Sequence, residues 1–404
     1  MSKYVIENTT LTAIADAVRE KSGTTDLIKV SELPTAIAAI EAGGGGGGIP
    51  EEALILTGNC DSRFAKNQWN WFIEEYGKQI TTNNITNANS MFSESTELVE
   101  IPFDINISAG DVIASMFLNC SKLEKIRNIS DSSGGITRAN TMFSNCKKLK
   151  EVGKISGLRI YGASSWFNEC QSLKELPVLE NCSSSWSTAY QTANKAFNGC
   201  MSLRTIPDSY LSLFKEGRWT SSSYHFYAYA FYGCWALDEI NNIPINETIT
   251  LTSNVFNNTF VSCRRVKDIT FETNNNNPLT VNWKSQTITL TSEIGYGLTP
   301  YAVNNQVNGL SADKQITSDT YQALKDDPDA WTQDNLLSRY NHDSAVNTIN
   351  SLPDTSAYLA TAGGTNTIIF KGNNGSGTDG GAINTLTEEE IAVATAKGWT
   401  VTLV

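Results

Sequence analysis

Six of the eight cysteines recur at one fixed place in a repeated phrase, so thiols are the first candidates for chemistry. They are Cys120, Cys146, Cys170, Cys200, Cys234 and Cys263. A zinc site needs several ligands close together, commonly as CxxC pairs or with histidine. The chain has no CxxC and only two histidines, at positions 225 and 342. We therefore predict that these cysteines are small buried packing residues, and that the protein uses no metal and no cofactor.

Two segments between the phrases hold the aromatic side chains that best suit a binding site. They read ENCSSSWSTAYQTAN at residues 180–194 and KEGRWTSSSYHFYAYAF at residues 215–231. Tyr and Trp rings can stack on a sugar while hydroxyl and amide neighbours bond its edges. The predicted ligand-binding residues are Trp186, Tyr190, Trp219, Tyr224, His225, Tyr227 and Tyr229. The alternative is that these rings pack over the repeats or form a subunit contact, and the sequence leaves both open.

No catalytic set stands out in the chain. HExxH, GxSxG and phosphate-loop motifs are absent, and the glycine-rich run GNNGSGTDGG at residues 372–381 lacks the Lys-Ser/Thr of a phosphate loop. We predict that the protein is not an enzyme. A glycan depolymerase that uses two of the many carboxylates is a less favoured alternative.

The cysteines belong to a phrase that occurs seven times, with the pattern Phe-x-x-Cys-x-x-Leu-x-x-Ile. The copies lie at residues 91–101, 116–126, 142–152, 166–176, 196–206, 230–240 and 259–269. In the first copy Ser95 replaces the cysteine, and in the last Val266 replaces the leucine. Their spacing is about 25 residues and widens around Cys200 and Cys234, where we expect inserted loops. Such a unit cannot bury its own apolar edge, so neighbouring copies must stack.

Within each copy, apolar residues continue at a spacing of three, as in Leu123, Ile126 and Ile129. This spacing fits neither a long helix nor an alternating strand, and it predicts a short extended segment leading into a turn. Upstream of the phenylalanine, segments such as ITNANSMF and ITRANTMF predict a short helix that carries Phe92 or Phe143 inward.

The pattern resembles the BspA-like class of leucine-rich repeats over residues 80–275. The resemblance implies a right-handed, curved α/β solenoid with strands on one face and helices or turns on the other. We expect this stack at residues 49–275, with an N-terminal cap that includes an amphipathic helix in DSRFAKNQWNWFIEEYG. We expect residues 276–404 to close the stack with strands and helices. One of these helices begins with a capping box formed by Thr387 and Glu390.

The N-terminus predicts a separate module. Residues 1–42 indicate two short helices, and the glycine run at residues 43–48 indicates a flexible tether. The segment LTAIADAVREKSGTTDLIKVSELPTAIAAI is similar to the N-terminal segment of tail-fibre and tail-tip proteins of phages and prophages. The resemblance implies attachment to other tail or baseplate proteins and a homotrimer.

Charge and hydropathy narrow the function further. The net charge of −12 argues against nucleic acid and against an anionic membrane surface as partners. No apolar run is long enough for a membrane span, and no secretory signal is visible at the N-terminus. We therefore expect a phage tail receptor-binding protein that is assembled in the host cytoplasm, stands in the virion tail and recognises a host cell-surface glycan. The alternative is a structural scaffold that binds a protein partner.

Overall fold

A computed structural model describes residues 54–108, 113–160, 162–184, 193–215, 226–261, 263, 266–291, 342–371 and 386–404. The predicted helical module at residues 1–42 and the glycine tether at residues 43–48 lie outside the described residues.

The repeats form a β-solenoid of stacked coils, which confirms the predicted solenoid. The first strands are β1 (Ile55–Asn59), β2 (Thr81–Asn87), β3 (Glu100–Ile101), β4 (Ile105–Ile107), β5 (Lys125–Ile126), β6 (Ile129–Asp131), β7 (Ile136–Thr137), β8 (Glu151–Val152), β9 (Ile155–Ser156), β10 (Arg159–Ile160), β11 (Leu179–Glu180) and β12 (Ser183–Ser184). The parallel sheets have the strand orders β1-β2-β4-β6-β9-β11, β3-β5-β8 and β12-β10-β7. Ile105, Ile129, Ile155 and Leu179 pair in one register along the largest sheet. The apolar spacing of three therefore predicted the extended segments correctly.

Between the strands, each coil turns through a segment built around one phenylalanine. These ladder phenylalanines are Phe64, Phe92, Phe117, Phe143, Phe167, Phe197, Phe231 and Phe260. Neighbouring rings stack with centroids 4.9 to 6.1 Å apart and nearly parallel planes. Stacking aligned rings at this distance buries a continuous apolar column through the core.

The segment before each ladder phenylalanine is a turn, so the predicted short helix is wrong. The residue two positions before the phenylalanine has a left-handed backbone in each of these coils: Ser62, Ser90, Ser115, Thr141, Ser165, Lys195, Tyr229 and Asn258. The backbone N–H of Phe92 donates to the Met116 oxygen of the next coil at 2.8 Å, and that of Phe117 donates to the Met142 oxygen at 2.9 Å. These bonds between coils alternate with local bonds three residues back, such as that from the Met91 N–H to the Ala88 oxygen at 3.2 Å, so the continuous bond ladder of a helix does not form.

The chain enters the stack one coil earlier than the seven phrases indicate. Phe64 stacks on Phe92 at 5.3 Å, and its N–H donates to the Met91 oxygen in the same pattern as in later coils. The amphipathic helix expected across DSRFAKNQWNWFIEEYG is therefore limited to α1 (Asn70–Tyr76), followed by a 3-10 turn at Gly77–Gln79. The residues before α1 form the turn of this additional coil.

The widened coils hold a helix and further strands. Helix α2 (Asp208–Lys215) follows the coil of Phe197. After it come β13 (Glu239–Ile243), β14 (Asp268–Phe271), and the hairpin of β15 (Thr273–Asn274) and β16 (Asn277–Pro278).

The C-terminal elements pack into the same hydrophobic core as the repeats. They are β17 (Thr287–Thr291), α3 (His342–Ser351), α4 (Ser356–Ala362), β18 (Asn366–Lys371), α5 (Glu388–Ala396) and β19 (Trp399–Leu403). The three strands form a parallel sheet in the order β17-β18-β19. Ile349, Phe370 and Trp399 are buried in the common core. The predicted capping box of Thr387 and Glu390 is confirmed at the start of α5.

Candidate functional site

The repeat cysteines form a ladder of buried thiols beneath the turns. The Sγ atom of Cys146 donates to the carbonyl oxygen of Phe117 in the preceding coil at 3.1 Å. The same bond is made by Cys120, Cys170, Cys200, Cys234 and Cys263. Burial raises the pKa of Cys120 from 9.0 to about 12. All eight cysteines are free thiols, and the prediction that the repeat cysteines are packing residues is confirmed.

The structure describes only two of the seven predicted ligand-binding residues. Trp186, Tyr190, Trp219, Tyr224 and His225 lie outside the described residues. Tyr227 is fully buried, its ring stacks on Phe256 at 5.7 Å, and its hydroxyl donates to the Pro244 oxygen at 3.3 Å. Tyr227 therefore has no side-chain surface to offer a ligand and takes the packing role that the sequence left open. Tyr229 is half-buried and lies on the surface of the turns.

We call this surface the turn face: the residues two before, one after and two after each ladder phenylalanine. Two positions before the phenylalanine, most coils have a small polar residue, but Lys195 and Tyr229 stand there in successive coils. Both have a positive φ, of 54° and 57°. A left-handed backbone is uncommon for residues other than glycine and is an outlier for a bulky side chain. The other coils fold with small polar side chains at this position, so Lys195 and Tyr229 depart from the repeat.

These two side chains form a cluster with a second tyrosine. The Nζ atom of Lys195 lies 5.8 Å from the centroid of the Tyr229 ring, which is within cation–π distance. The Tyr229 and Tyr232 rings have centroids 5.6 Å apart. We refer to Lys195, Tyr229 and Tyr232 as the Lys–Tyr cluster.

Two buried glycines lie in the same coils, at a position that we call the notch. Gly199 and Gly233 stand two positions after their ladder phenylalanines, where the coils of Phe92 to Phe167 have asparagine or glutamate. A Cβ atom on Gly199 would lie 2.8 Å from the carboxylate of Glu169, and one on Gly233 would lie 4.0 Å from the Trp235 Nε1 atom. Both glycines are buried, and at Gly199 the Glu169 carboxylate takes the space that a side chain would need.

The Glu169 carboxylate is held at the edge of the notch by two amides. Gln171 donates from Nε2 to its Oε2 atom at 3.0 Å, and Asn198 donates from Nδ2 to its Oε1 atom at 3.5 Å. Fixed in this way, a half-buried carboxylate can accept hydrogen bonds from hydroxyl groups of a ligand. The Tyr rings beside the notch offer apolar faces for stacking.

The positions aligned with Glu169 in the neighbouring coils have no second carboxylate among the described residues. Glycoside hydrolysis ordinarily needs two carboxylates about 5 to 10 Å apart. Along the described turn face, the residues aligned with Glu169 in the neighbouring coils are Asn145 and Gly199, neither of which is acidic. Among the described residues no group of acidic, histidine or cysteine side chains has a metal-binding arrangement.

Sequence reasoning missed Glu169, Lys195, Gly199 and Tyr232. Aligning the phrases position by position shows a signal in two successive coils. Two positions before the phenylalanine, Lys and Tyr replace small polar residues, and two positions after it, Gly replaces Asn or Glu. That signal gains meaning only when the left-handed turns place these positions on one face.

The repeat geometry agrees with a comparison to known protein families. The BspA type leucine-rich repeat region, in a form with six copies, matches residues 78–203 and 186–294. These matches cover more than half of the chain, and the protein belongs to this family. Comparison with curated proteins found no match, and neither did comparison with solved structures. Within the described residues, no helix combines the length and apolar character that crossing a membrane requires.

Proposed function

We propose that this protein is an adhesion protein of a phage or prophage tail that binds a host cell-surface glycan through the Lys–Tyr cluster and the Glu169 carboxylate at the notch. The observation that carries the proposal is the pair of bulky residues, Lys195 and Tyr229, at left-handed positions where other coils have Ser, Thr or Asn. An aromatic platform beside a fixed carboxylate matches a sugar, which presents an apolar ring face and a rim of hydroxyl groups.

The tail context is proposed from the N-terminal segment at residues 11–40, which is similar to tail-fibre and tail-tip proteins. In this proposal the module attaches the protein to other tail or baseplate proteins, the tether allows reorientation, and the assembled virion part is a homotrimer. Binding takes place without catalysis. Tail and lysis genes on either side of the coding sequence would support this context.

The first experiment measures binding of the purified full chain to intact Gram-positive and gut bacteria, before and after removal of wall carbohydrate. We expect binding to at least one strain and its loss after the carbohydrate is removed. Unchanged binding after removal would refute a glycan receptor and favour a protein partner. Release of reducing ends from the wall material would refute the non-catalytic assignment.

A glycine substitution tests the notch itself. Gly199→Ala places a methyl group against the Glu169 carboxylate, so we expect binding to bacteria to weaken about tenfold or more, corresponding to at least about 1.4 kcal/mol. Gly134→Ala is the matched control, because Gly134 has a similar positive φ but no atom within 4 Å of the added methyl. Both variants carry the strain of an alanine in the left-handed region. Equal binding by the two variants would remove the notch from the site.

A further inference from the structure

We propose that the ligand is an extended, uncharged polysaccharide that contains acetamido sugars and lies along the solenoid axis, with about one sugar over each coil from that of Asn119 to that of Tyr229. The inference rests on the proposed function, since it names the class of glycan that the same face would hold. It extends the site from the Lys–Tyr cluster to a row of side-chain amides.

The amide row continues the turn face from the cluster toward the N-terminal coils. Its members are Asn119 and Asn145, two positions after their phenylalanines, and Asn168 and Asn198, one position after theirs. The two pairs meet where Asn168 donates from Nδ2 to the Ser144 Oγ atom at 3.1 Å. Asn145 donates from Nδ2 to the Asn119 Oδ1 atom at 2.8 Å, and Asn198 donates from Nδ2 to the Asn168 Oδ1 atom at 2.7 Å. These bonds link neighbouring coils and fix the amides on the surface. Asn198 also bonds Glu169, so the row runs directly into the notch.

Asn145 retains hydrogen-bonding capacity toward solvent. A side-chain amide has two N–H donors and an oxygen with two lone pairs. Among the described residues, Asn145 makes one side-chain hydrogen bond, through one N–H, and it is half-buried. Its second N–H and its oxygen can therefore pair with a ligand. An acetamido group offers the complementary carbonyl oxygen and N–H.

The turn face is uncharged in the coils of Asn119 and Asn145, whereas the next two coils carry Glu169 and Lys195. In the first two coils its surface consists of Ser115, Leu118 and Thr141 besides the two asparagines, and Ser144 is buried. Charged residues of this part of the stack instead pair across the strands, as in Lys125–Glu151, Lys150–Glu124 and Lys154–Glu180. A protein with a net charge of −12 repels a polyanion, whereas a neutral polymer meets no such barrier on this surface.

The spacing of the coils suits a polymer. From Phe117 to Phe231, successive ladder rings have centroids 5.5, 4.9, 6.1 and 5.9 Å apart. One pyranose residue in an extended β-linked chain advances by a similar distance. Successive sugars can therefore stay in step with successive coils over several repeats.

Calorimetry with two length-matched ligand series tests the inference. The first series is β-1,4-linked N-acetylglucosamine oligomers of increasing length, and the second is the corresponding glucose oligomers, which lack the acetamido group. We expect affinity to rise about tenfold or more from the dimer to an oligomer that spans the coils of Asn119 to Tyr229, in the first series alone. Equal affinity for both series, or a plateau at the dimer, would overturn the inference.

Two variants test whether the polysaccharide lies along the amide row, a path that we call the track. Asn145→Gly removes an amide and keeps the left-handed backbone, as glycine does at Gly199 and Gly233 in this chain. We expect this variant to bind the longest N-acetylglucosamine oligomer about tenfold more weakly and to bind the dimer with unchanged affinity. Ser130→Ala is the control, because Ser130 also bonds an asparagine of the neighbouring coil, Asn106, but lies on the six-stranded sheet. If Asn145→Gly binds the longest oligomer as wild type does, the track is refuted.

The outcomes separate this inference from the proposed function. Binding to bacteria that is lost on carbohydrate removal, without length dependence in the oligomer series, refutes the track and leaves the adhesion proposal intact. Binding to bacteria that is insensitive to carbohydrate removal refutes both.

Discussion

At the level of single residues, the repeat cysteine is a hydrogen-bond donor placed under the backbone of the preceding coil. The first repeat shows the same role for a hydroxyl, because Ser95 donates from Oγ to the Phe64 oxygen at 2.7 Å. Both side chains are small enough for the position and both satisfy a buried carbonyl oxygen. The preference for cysteine elsewhere follows from its lower desolvation cost in an apolar core.

Substitution at Cys146 tests this role. Cys146→Ala removes the donor to the Phe117 oxygen and should lower the free energy of unfolding by about 1 kcal/mol. Cys146→Ser keeps a donor, so we expect its loss to be smaller. Urea unfolding followed by circular dichroism measures both values. If Cys146→Ser lowered the free energy of unfolding as much as Cys146→Ala does, the hydrogen bond would not explain why cysteine stands at this position.

The buried thiols also predict sensitivity to alkaline pH. Burial raises the pKa of Cys120 from 9.0 to about 12, and it raises the pKa of Cys146, Cys170 and Cys234 as well. The folded state therefore holds protons that the unfolded state releases above pH 9. Stability contributed by these groups is complete below about pH 9 and falls as the pH rises toward 12.

The measurement is the urea midpoint at pH 7 and pH 10. We expect a lower midpoint at pH 10, and a smaller shift in a variant with serine at Cys120, Cys146 and Cys170 together. Tyr210 and Tyr227 add to the alkaline loss in both proteins, because burial raises their pKa values too. Identical shifts in the two proteins would exclude the thiols as a cause.

At the level of elements, helix α2 is held against the stack by its aromatic side chains. Tyr210 and Phe214 of α2 pack against Phe197, with ring centroids 6.1 Å away in both pairs. The Tyr210 ring also lies 5.4 Å from the Trp166 ring of the preceding coil. The inserted helix therefore buries its rings against two successive coils.

Tyr210 provides a test of this packing. Its ring is fully buried and its hydroxyl donates to the Pro177 oxygen at 2.8 Å. Tyr210→Ala should lower the free energy of unfolding by about 3 to 5 kcal/mol, since it leaves a cavity. Tyr210→Phe should cost about 1 kcal/mol, because it removes the hydrogen bond alone. Chemical denaturation compares the two, and a loss below about 1 kcal/mol for alanine would contradict the packing role.

The elements show what the sequence could and could not predict. The spacing of Leu123, Ile126 and Ile129 predicted the strands, because buried side chains must recur at each pass of the chain. The left-handed turns escaped prediction, since Ser90, Thr141 and Tyr229 are not residues that ordinarily mark a positive φ. Their conformation follows from hydrogen bonds to the neighbouring coil, which no single repeat contains. For the same reason, the burial of Tyr227 and the half-exposure of Tyr229 could not be told apart in advance.

At the level of the whole molecule, one hydrophobic core runs from the first coil to the C-terminal sheet. Each coil of a solenoid buries its apolar faces against its neighbours, so the outer face of an end coil must be covered by another element. Helix α3 covers β14: Thr348 donates from Oγ1 to the Ile269 oxygen at 2.6 Å. The ladder residues account for the core, and the proposed recognition lies on the turn face, where the sequence departs from the repeat.

One variant tests the central claim that the Lys–Tyr cluster binds the cell-surface ligand. Tyr229→Ser restores the residue found at the same turn position in Ser90, Ser115 and Ser165, so the fold has no reason to change. Tyr358→Ser is the control, because Tyr358 is a half-buried tyrosine on α4.

The measurement is the affinity of each variant for the bacterial cells that the wild-type protein binds. We predict that Tyr229→Ser weakens binding about tenfold or more, as expected for the loss of a stacking ring worth about 1.4 kcal/mol, while Tyr358→Ser binds as wild type does. Wild-type affinity of Tyr229→Ser for these cells would contradict the account.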